Sequence, residues 1–257
     1  MILDKIIETK KEEVAQLKMQ TNVSALQKVI AGIEPCRDFK KALQSNTCNI
    51  IAEVKCASPS RGILVTDFDP IRIAGIYEKN GAAAISVLTD EKYFAGHKNY
   101  LTQIRQKVKL PLLRKDFVID AIQIYETRAI GADAILLIVR VLGNKLAEFI
   151  SLSKEIGVNP LVEVHTREEL DAALTAGAEI IGINNRNLDT FVTDIETSRR
   201  IGKQITTDKV VVAESGIRSR TDIELLMQAG INAFLIGEAL ITDPYIGKKL
   251  LEFKGEG

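Results

Sequence analysis

Eight short apolar runs, each followed by a longer amphipathic stretch, succeed one another from Asn49 to Phe253. The runs are Asn49–Val54, Ala83–Val87, Pro111–Lys115, Ala134–Val139, Leu161–His165, Ile180–Asn184, Lys209–Glu214 and Ala233–Ile236. Helical periodicity covers Pro70–Asn80, Lys98–Lys107, Ala121–Ile130, Lys145–Ile156, Arg167–Ala176, Ile195–Ile201, Arg220–Ala229 and Tyr245–Phe253. Near-continuous apolar strands belong to a parallel sheet covered by helices. An internal echo supports the count: NGAAAI, IGADAI, AGAEII and AGINAF each place a glycine where a helix ends and the next strand begins. Right-handed crossovers leave a closed barrel or an open doubly wound sheet. A dinucleotide-binding sheet needs GxGxxG after its first strand, and the chain has none there. The expected fold is α/β, a single (β/α)8 TIM barrel with an N-terminal helical extension. Residues 1–45 read as the extension, one or two amphipathic helices over the barrel mouth or bottom, and residues 46–257 as the barrel.

The 257 residues and 46% apolar content suit one such barrel. Lysine plus arginine equals aspartate plus glutamate, 34 each, which argues against a nucleic-acid or membrane-surface partner. No apolar run approaches the roughly 20 residues that span a bilayer, and the N-terminus has no signal-peptide h-region. Cys36, Cys48 and Cys56 are an odd set without CxxC spacing, so reduced thiols and a cytoplasmic location are expected. His97 and His165, the only histidines, form no HxH or HExxH pattern, and neither a metal nor a cofactor is expected.

The first strand breaks its own pattern. In IIAEVKCASPSRG, Glu53 and Lys55 share a face with Ile51, which should point into the core. Charged residues are almost never fully buried unless paired. A structural ion pair accounts for this segment by itself. It does not account for similar residues at the same end of other strands: Lys115, Glu163, Asn184 with Arg186, and Glu214. Leu113, Leu161 and Val212 sit two positions before Lys115, Glu163 and Glu214, so parity aims all three charges inward. Barrel active sites lie at these C-terminal strand ends. His165 shares the parity of Glu163 but reads as a rim or helix-capping residue.

AESGIRS after the seventh strand and LIGEAL after the eighth place glycine where backbone N–H groups can converge on a phosphate. The SPSRG loop adds hydroxyl donors. A lysine serving as acid at neutral pH would need its pKa tuned to about 7–8, a shift of roughly 3 units or about 4 kcal/mol. A second cation would help, so Lys115 is expected as the acid, Lys55 as its electrostatic partner and Glu163 as the base.

As a set, IAEVKCASPSRG, LTDEKYFAG, LLRKDFVID, PLVEVH, IGINNRNLDT, VVAESGI and FLIGEAL resemble the indole-3-glycerol-phosphate synthase family of tryptophan biosynthesis. The resemblance spans the whole barrel, and the N-terminal extension fits it. It implies a carboxy-lyase acting on a small-molecule anilino sugar phosphate, 1-(2-carboxyphenylamino)-1-deoxyribulose 5-phosphate, with decarboxylation, dehydration and closure of the indole ring. By the same resemblance Lys115 is the general acid on the carbonyl oxygen and Glu163 the base for dehydration. Lys55 holds the substrate carboxylate or shares the acid role, while Glu53 and Asn184 orient and stabilise charge. Ser58, Ser215, Gly216, Gly237 and the backbone of Glu238 hold the phosphate, and Arg186 and Glu214 brace the site. Phe94, Phe117, Leu136, Leu188 and Leu235 pack on the aromatic ring.

Two positions depart from the family pattern. Cys56 stands where a basic residue is frequent, but parity turns it away from the pocket. Glu238 stands where some members carry serine, so its carboxylate is expected to point away from the phosphate. The chain reads as the stand-alone form, and association with other enzymes of the pathway is left open. A Schiff-base aldolase using a strand-end lysine, and a non-catalytic sugar-phosphate binder, are the rival readings.

Overall fold

A computed structural model describes residues 2–44, 48–190, 192–206 and 208–256. Eight parallel strands close into a barrel: β1 (Asn49–Val54), β2 (Ala84–Leu88), β3 (Leu112–Lys115), β4 (Ala134–Ile138), β5 (Asn159–Val164), β6 (Ile180–Asn184), β7 (Val210–Glu214) and β8 (Ala233–Ile236). Each pairs with the next, and β8 returns to β1 through the register Ile51↔Leu235. The strand period of two sorts the side chains. Ile51, Leu113, Leu161, Val212 and Leu235 fill the barrel interior. Ile50, Ala52, Val54 and Phe234 face outward onto Tyr77, Leu250 and Phe253 of the helical layer.

Local chemistry starts and stops the helices. Asp69 caps Pro70–Lys79, with proline in the first turn. Asp120 with Gln123, and Ser219 with Asp222, form capping boxes at the starts of Ala121–Ala129 and Arg220–Met227. The four echoed glycines, Gly81, Gly131, Gly177 and Gly230, all adopt left-handed φ between 75° and 90° as the chain leaves a helix.

The extension covers both ends of the barrel. It has three helices, Ile2–Gln20, Val23–Ala31 and Phe39–Ala42, where one or two were expected. Phe39 and Leu43 plug the bottom, packing with Ala84, Ala134 and Ala233 at the strand starts. Arg37 and Arg105 meet buried Asp133 there, the Arg37 backbone N–H donating at 2.7 Å and the Arg105 guanidinium pairing at 2.6 Å. Helix Ile2–Gln20 crosses the mouth instead. Its Lys10 is 1% exposed and pairs with Asp90 after β2 at 2.8 Å and Asp116 after β3 at 2.9 Å. Asp116 also receives Arg114 at 3.1 Å and the Thr89 hydroxyl at 2.6 Å. The expected division between residues 45 and 46 lies outside the described residues.

Observed boundaries differ from the periodic reading where nothing polar marks them. Val139, expected to end a strand, begins the helix Val139–Leu142, because the apolar run continues straight from one into the other. β5 ends at Val164, which leaves His165 just beyond it.

Burial by itself would raise the Asp116 carboxyl. The charges of Arg114 and Lys10 and the Thr89 hydrogen bond outweigh it and hold the group at about 2. A depressed carboxylate stabilises the fold above its ordinary pKa of 3.8, and that contribution is lost as pH falls from about 4 towards 2. Lys10→Met leaves Asp90 and Asp116 buried together without the cation between them. It should cost about 3–5 kcal/mol, seen as a lower urea midpoint at neutral pH; an unchanged midpoint would show the pair to be dispensable.

Candidate active site

At the C-terminal ends of the strands lies a cleft of about 410 Å³. Glu53, Lys55, Lys115, Glu163, Asn184, Arg186 and Glu214 all line it, from five strands that the sequence scatters over 160 positions. Phe94, Phe117, Leu136, Leu188 and Leu235 line it too, as do Ser215, Gly216, Gly237 and Glu238. Ser58 does not. It sits in a small hairpin, Ala57–Ser58 against Gly62–Ile63, where its hydroxyl is buried without a hydrogen-bond partner. Its neighbours Pro59 and Arg61 reach the wall instead.

One side of the cleft is apolar. The Phe94 and Phe117 rings lie 6.1 Å apart, tilted by 36°, and Lys55 Nζ stands 5.5 Å over the Phe94 ring. Lys55 also pairs with Glu53 at 3.4 Å. Ile2, Leu3 and Ile6 of the first helix complete this wall.

The floor is a cluster of charge. Lys115 Nζ is 3.4 Å from Glu163 Oε2 and 3.4 Å from Glu214 Oε2. Burial lowers the Lys115 pKa, but Glu214, Glu163 and Glu53 more than offset this, so it rises above the ordinary lysine value. The expected tuning of Lys115 to about 7–8 by Lys55 is therefore overturned. Carboxylates surround the ammonium, and the nearest partners of Lys55 are Glu53 and an aromatic face.

The two carboxylates that share Lys115 separate. Glu163, which burial alone would raise, lies below its ordinary value through the charges of Lys115 and His165 and a hydrogen bond from Asn184. Glu214 is pushed up to about 8, first by burial and further by the charges of Glu163 and Glu53, against the pull of Lys115. At neutral pH one is ionised and the other holds a proton.

Missing side chains make room for these carboxylates. A Cβ on Gly182 would overlap the Glu214 carboxylate, and one on Gly237 would overlap that of Glu53. Ser215 (φ 65°) and Gly216 (φ 77°) are successive left-handed residues after β7. For serine that conformation costs on the order of 1 kcal/mol, and Asn185 braces it by donating to the Ser215 carbonyl at 3.0 Å. Such a turn forms a concave nest of N–H groups suited to an anion.

The Glu238 carboxylate does not simply turn outward, as expected. It pairs with Arg61 at 2.8 Å and lies 3.9 Å from Arg186, so two guanidinium groups neutralise it at the rim. Arg61 and the first-helix apolar residues escaped the sequence reading, since only the folded loops bring them here. His165 was legible by parity, and its Nε2 lies 3.5 Å from Glu163 Oε1.

Carboxyl ¹³C titration of the free protein should show one glutamate with a midpoint near pH 8, lost in Glu214→Gln. The absence of any carboxyl titrating above pH 6 would remove the proton from Glu214.

The family model described as indole-3-glycerol phosphate synthase matches residues 3–253. An indole-3-glycerol phosphate synthase of Alkaliphilus metalliredigens is 50% identical over 256 residues, covering 99% of this chain and 98% of the relative. One of Desulforamulus reducens is 48% identical over 255 residues, covering 98% and 96%. Among solved structures, a 3-hexulose-6-phosphate synthase aligns with TM-score 0.65 at 13% identity, over 81% of this chain and 99% of that one. A mutant tryptophan synthase alpha-subunit from Pyrococcus furiosus aligns with TM-score 0.61 at 15% identity, over 80% and 98%. At 13% and 15% identity these two likenesses show the fold alone, whereas the family match and the near-half identities run nearly the length of the chain. The chain belongs to the indole-3-glycerol phosphate synthase family.

Proposed function

We propose that the Lys115–Glu163 pair is the acid and base of this family's reaction, with the surrounding cleft holding the substrate. That reaction converts 1-(2-carboxyphenylamino)-1-deoxyribulose 5-phosphate to indole-3-glycerol phosphate in tryptophan biosynthesis, by a decarboxylating, dehydrating ring closure. The observation that carries the assignment is the 3.4 Å contact between a protonated lysine and an ionised glutamate on the cleft floor.

The anilino ring lies against Phe94 and Phe117, with Leu136, Leu188 and Leu235 around it and its carboxylate near Lys55. Ser215, Gly216, Gly237 and the backbone of Glu238 receive the phosphate, whereas Ser58 lies outside the cleft lining. Arg61 helps by offsetting the Glu238 carboxylate, which would otherwise repel the phosphate. The carbonyl between these anchors lies over Lys115.

When the ring carbon attacks, the carbonyl oxygen becomes an alkoxide, more basic than an amine. An ammonium can protonate it without first being tuned towards neutrality. Carbon dioxide leaves, and its bonding pair restores the aromatic ring. Glu163 then removes a proton from carbon as the hydroxyl takes a proton from solvent and departs as water. Asn184 and Glu53 orient the charged groups, and Arg186 and Glu214 brace them. A lysine held charged beside the ionised Glu163 is a poor nucleophile, which disfavours the Schiff-base reading.

The same proposal divides the chain into extension (1–45) and catalytic barrel (46–257). It places the enzyme in the cytoplasm with a small-molecule partner and no nucleic-acid or membrane partner. Zero net charge supports this, and among the described residues no helix is long and apolar enough to cross a membrane.

Incubation with the synthetic substrate should give indole fluorescence; folded protein without signal would overturn the activity. Lys115→Met and Glu163→Gln should each lower kcat by at least about 10²-fold with KM within a few-fold. Near-normal turnover in either variant would strip that residue of its role.

A further inference from the structure

Glu163 has a histidine on its far side. His165 follows β5, and its ring stands between two carboxylates. Nε2 is 3.5 Å from Glu163 Oε1, and Nδ1 is 3.3 Å from Glu169 Oε2. Glu169 also accepts the His165 backbone N–H at 2.6 Å, which fixes how the ring approaches. A neutral imidazole has one donor nitrogen and one acceptor, so a carboxylate at each nitrogen suits the doubly protonated ring. Nε2 is buried and makes no hydrogen bond. Glu214, which holds a proton at neutral pH, and Asp189, paired with Arg140 at 2.9 Å, also face it. Burial lowers the His165 pKa, but its hydrogen bond to Glu169 and the charges of Glu163 and Glu169 raise it overall.

Glu163 therefore has a different basic side chain beside each oxygen: Lys115 at Oε2 and His165 at Oε1. Only one of the two gives its proton away. In the reaction assigned above, on which this inference rests, the carbonyl oxygen leaves as water carrying two protons. One proton returns from carbon to Glu163, and the substrate carboxylate departs as carbon dioxide. Each turnover thus takes one proton from solvent. While Lys115 is neutral, Glu163 loses the nearer charge that keeps it ionised, at the stage when it must act as a base.

We propose that His165 is a positioning residue for Glu163: it is the cation that remains when Lys115 has delivered its proton, keeping the carboxylate ionised and turned towards the substrate. Glu169 holds the ring in place for this task.

Two variants, His165→Gln and Glu169→Gln, test it. Both are assayed with the anilino-deoxyribulose phosphate, unlabelled and deuterated at sugar C1, the carbon that loses its proton to Glu163. An opposite charge within about 4–6 Å lowers a carboxyl by about 1–3 units. The acid limb of the kcat profile should therefore move up by about one unit or more in His165→Gln and by less in Glu169→Gln. KM should stay within about threefold, and the deuterium isotope effect on kcat should exceed that of the wild type. A merely structural His165 would instead depress kcat or raise KM equally at every pH; that result, or an unmoved acid limb and isotope effect, overturns the proposal. Should His165→Gln fail to fold, Glu169→Gln decides on the same readouts. A wild-type protein that forms no indole product removes the underlying reaction and this proposal together, whereas an active wild type with unmoved variants removes this proposal alone.

Discussion

Three carboxylates compete for one buried ammonium, and much of the cleft follows from how that competition resolves. Lys115 cannot satisfy Glu163, Glu214 and Glu53 at once. Glu163 stays ionised because His165 and Asn184 add to the pull of Lys115, whereas Glu214 retains a proton. Neighbouring groups of the same chemical type thus end in opposite states, and the acid–base roles come from surroundings rather than residue type. The lysine pays no penalty of solitude: burial disfavours its charge, and its neighbours more than restore it.

The cluster holds its shape because the barrel supplies rigid ends and empty places. Parity aims each charge inward from a strand whose preceding inward residue is packed in the interior. Gly182 and Gly237 leave the volume that the Glu214 and Glu53 carboxylates occupy. At the mouth, Lys10 ties the segment after β2 to the segment after β3. Asp116 meanwhile accepts the backbone N–H of Phe117, whose ring faces the substrate wall.

Most of the barrel was legible from a period of two in the strands and 3.6 in the helices, punctuated by glycine. The strand-end charges were legible for the same reason, since parity alone aims Glu53, Lys55, Lys115, Glu163 and Glu214 at one volume. Distances between strands were not legible, and they decide protonation. Without them, two nearby lysines suggested a lowered Lys115 pKa, when the nearer neighbours of that group are acids. Loops were harder still. The Arg61–Glu238 contact joins residues 177 positions apart through two turns with no periodic signal. Ile2, Leu3 and Ile6 looked like the apolar stripe of any surface helix. His165 had the right parity, but its ring is sandwiched only because the helix after β5 brings Glu169 back over it.

The buried Lys10 also sets an order of events in time. The helix that carries it precedes the barrel in the chain, yet its two aspartate partners, Asp90 and Asp116, belong to loops that come much later. Until the third strand is in place, that lysine has no low-dielectric niche to enter, and the helix gains little by docking. Closing so wide a loop is an entropic cost met only once the early strands have paired. The apolar wall that Ile2, Leu3 and Ile6 lend to the cleft therefore depends on contacts made far along the chain, although these residues precede the barrel.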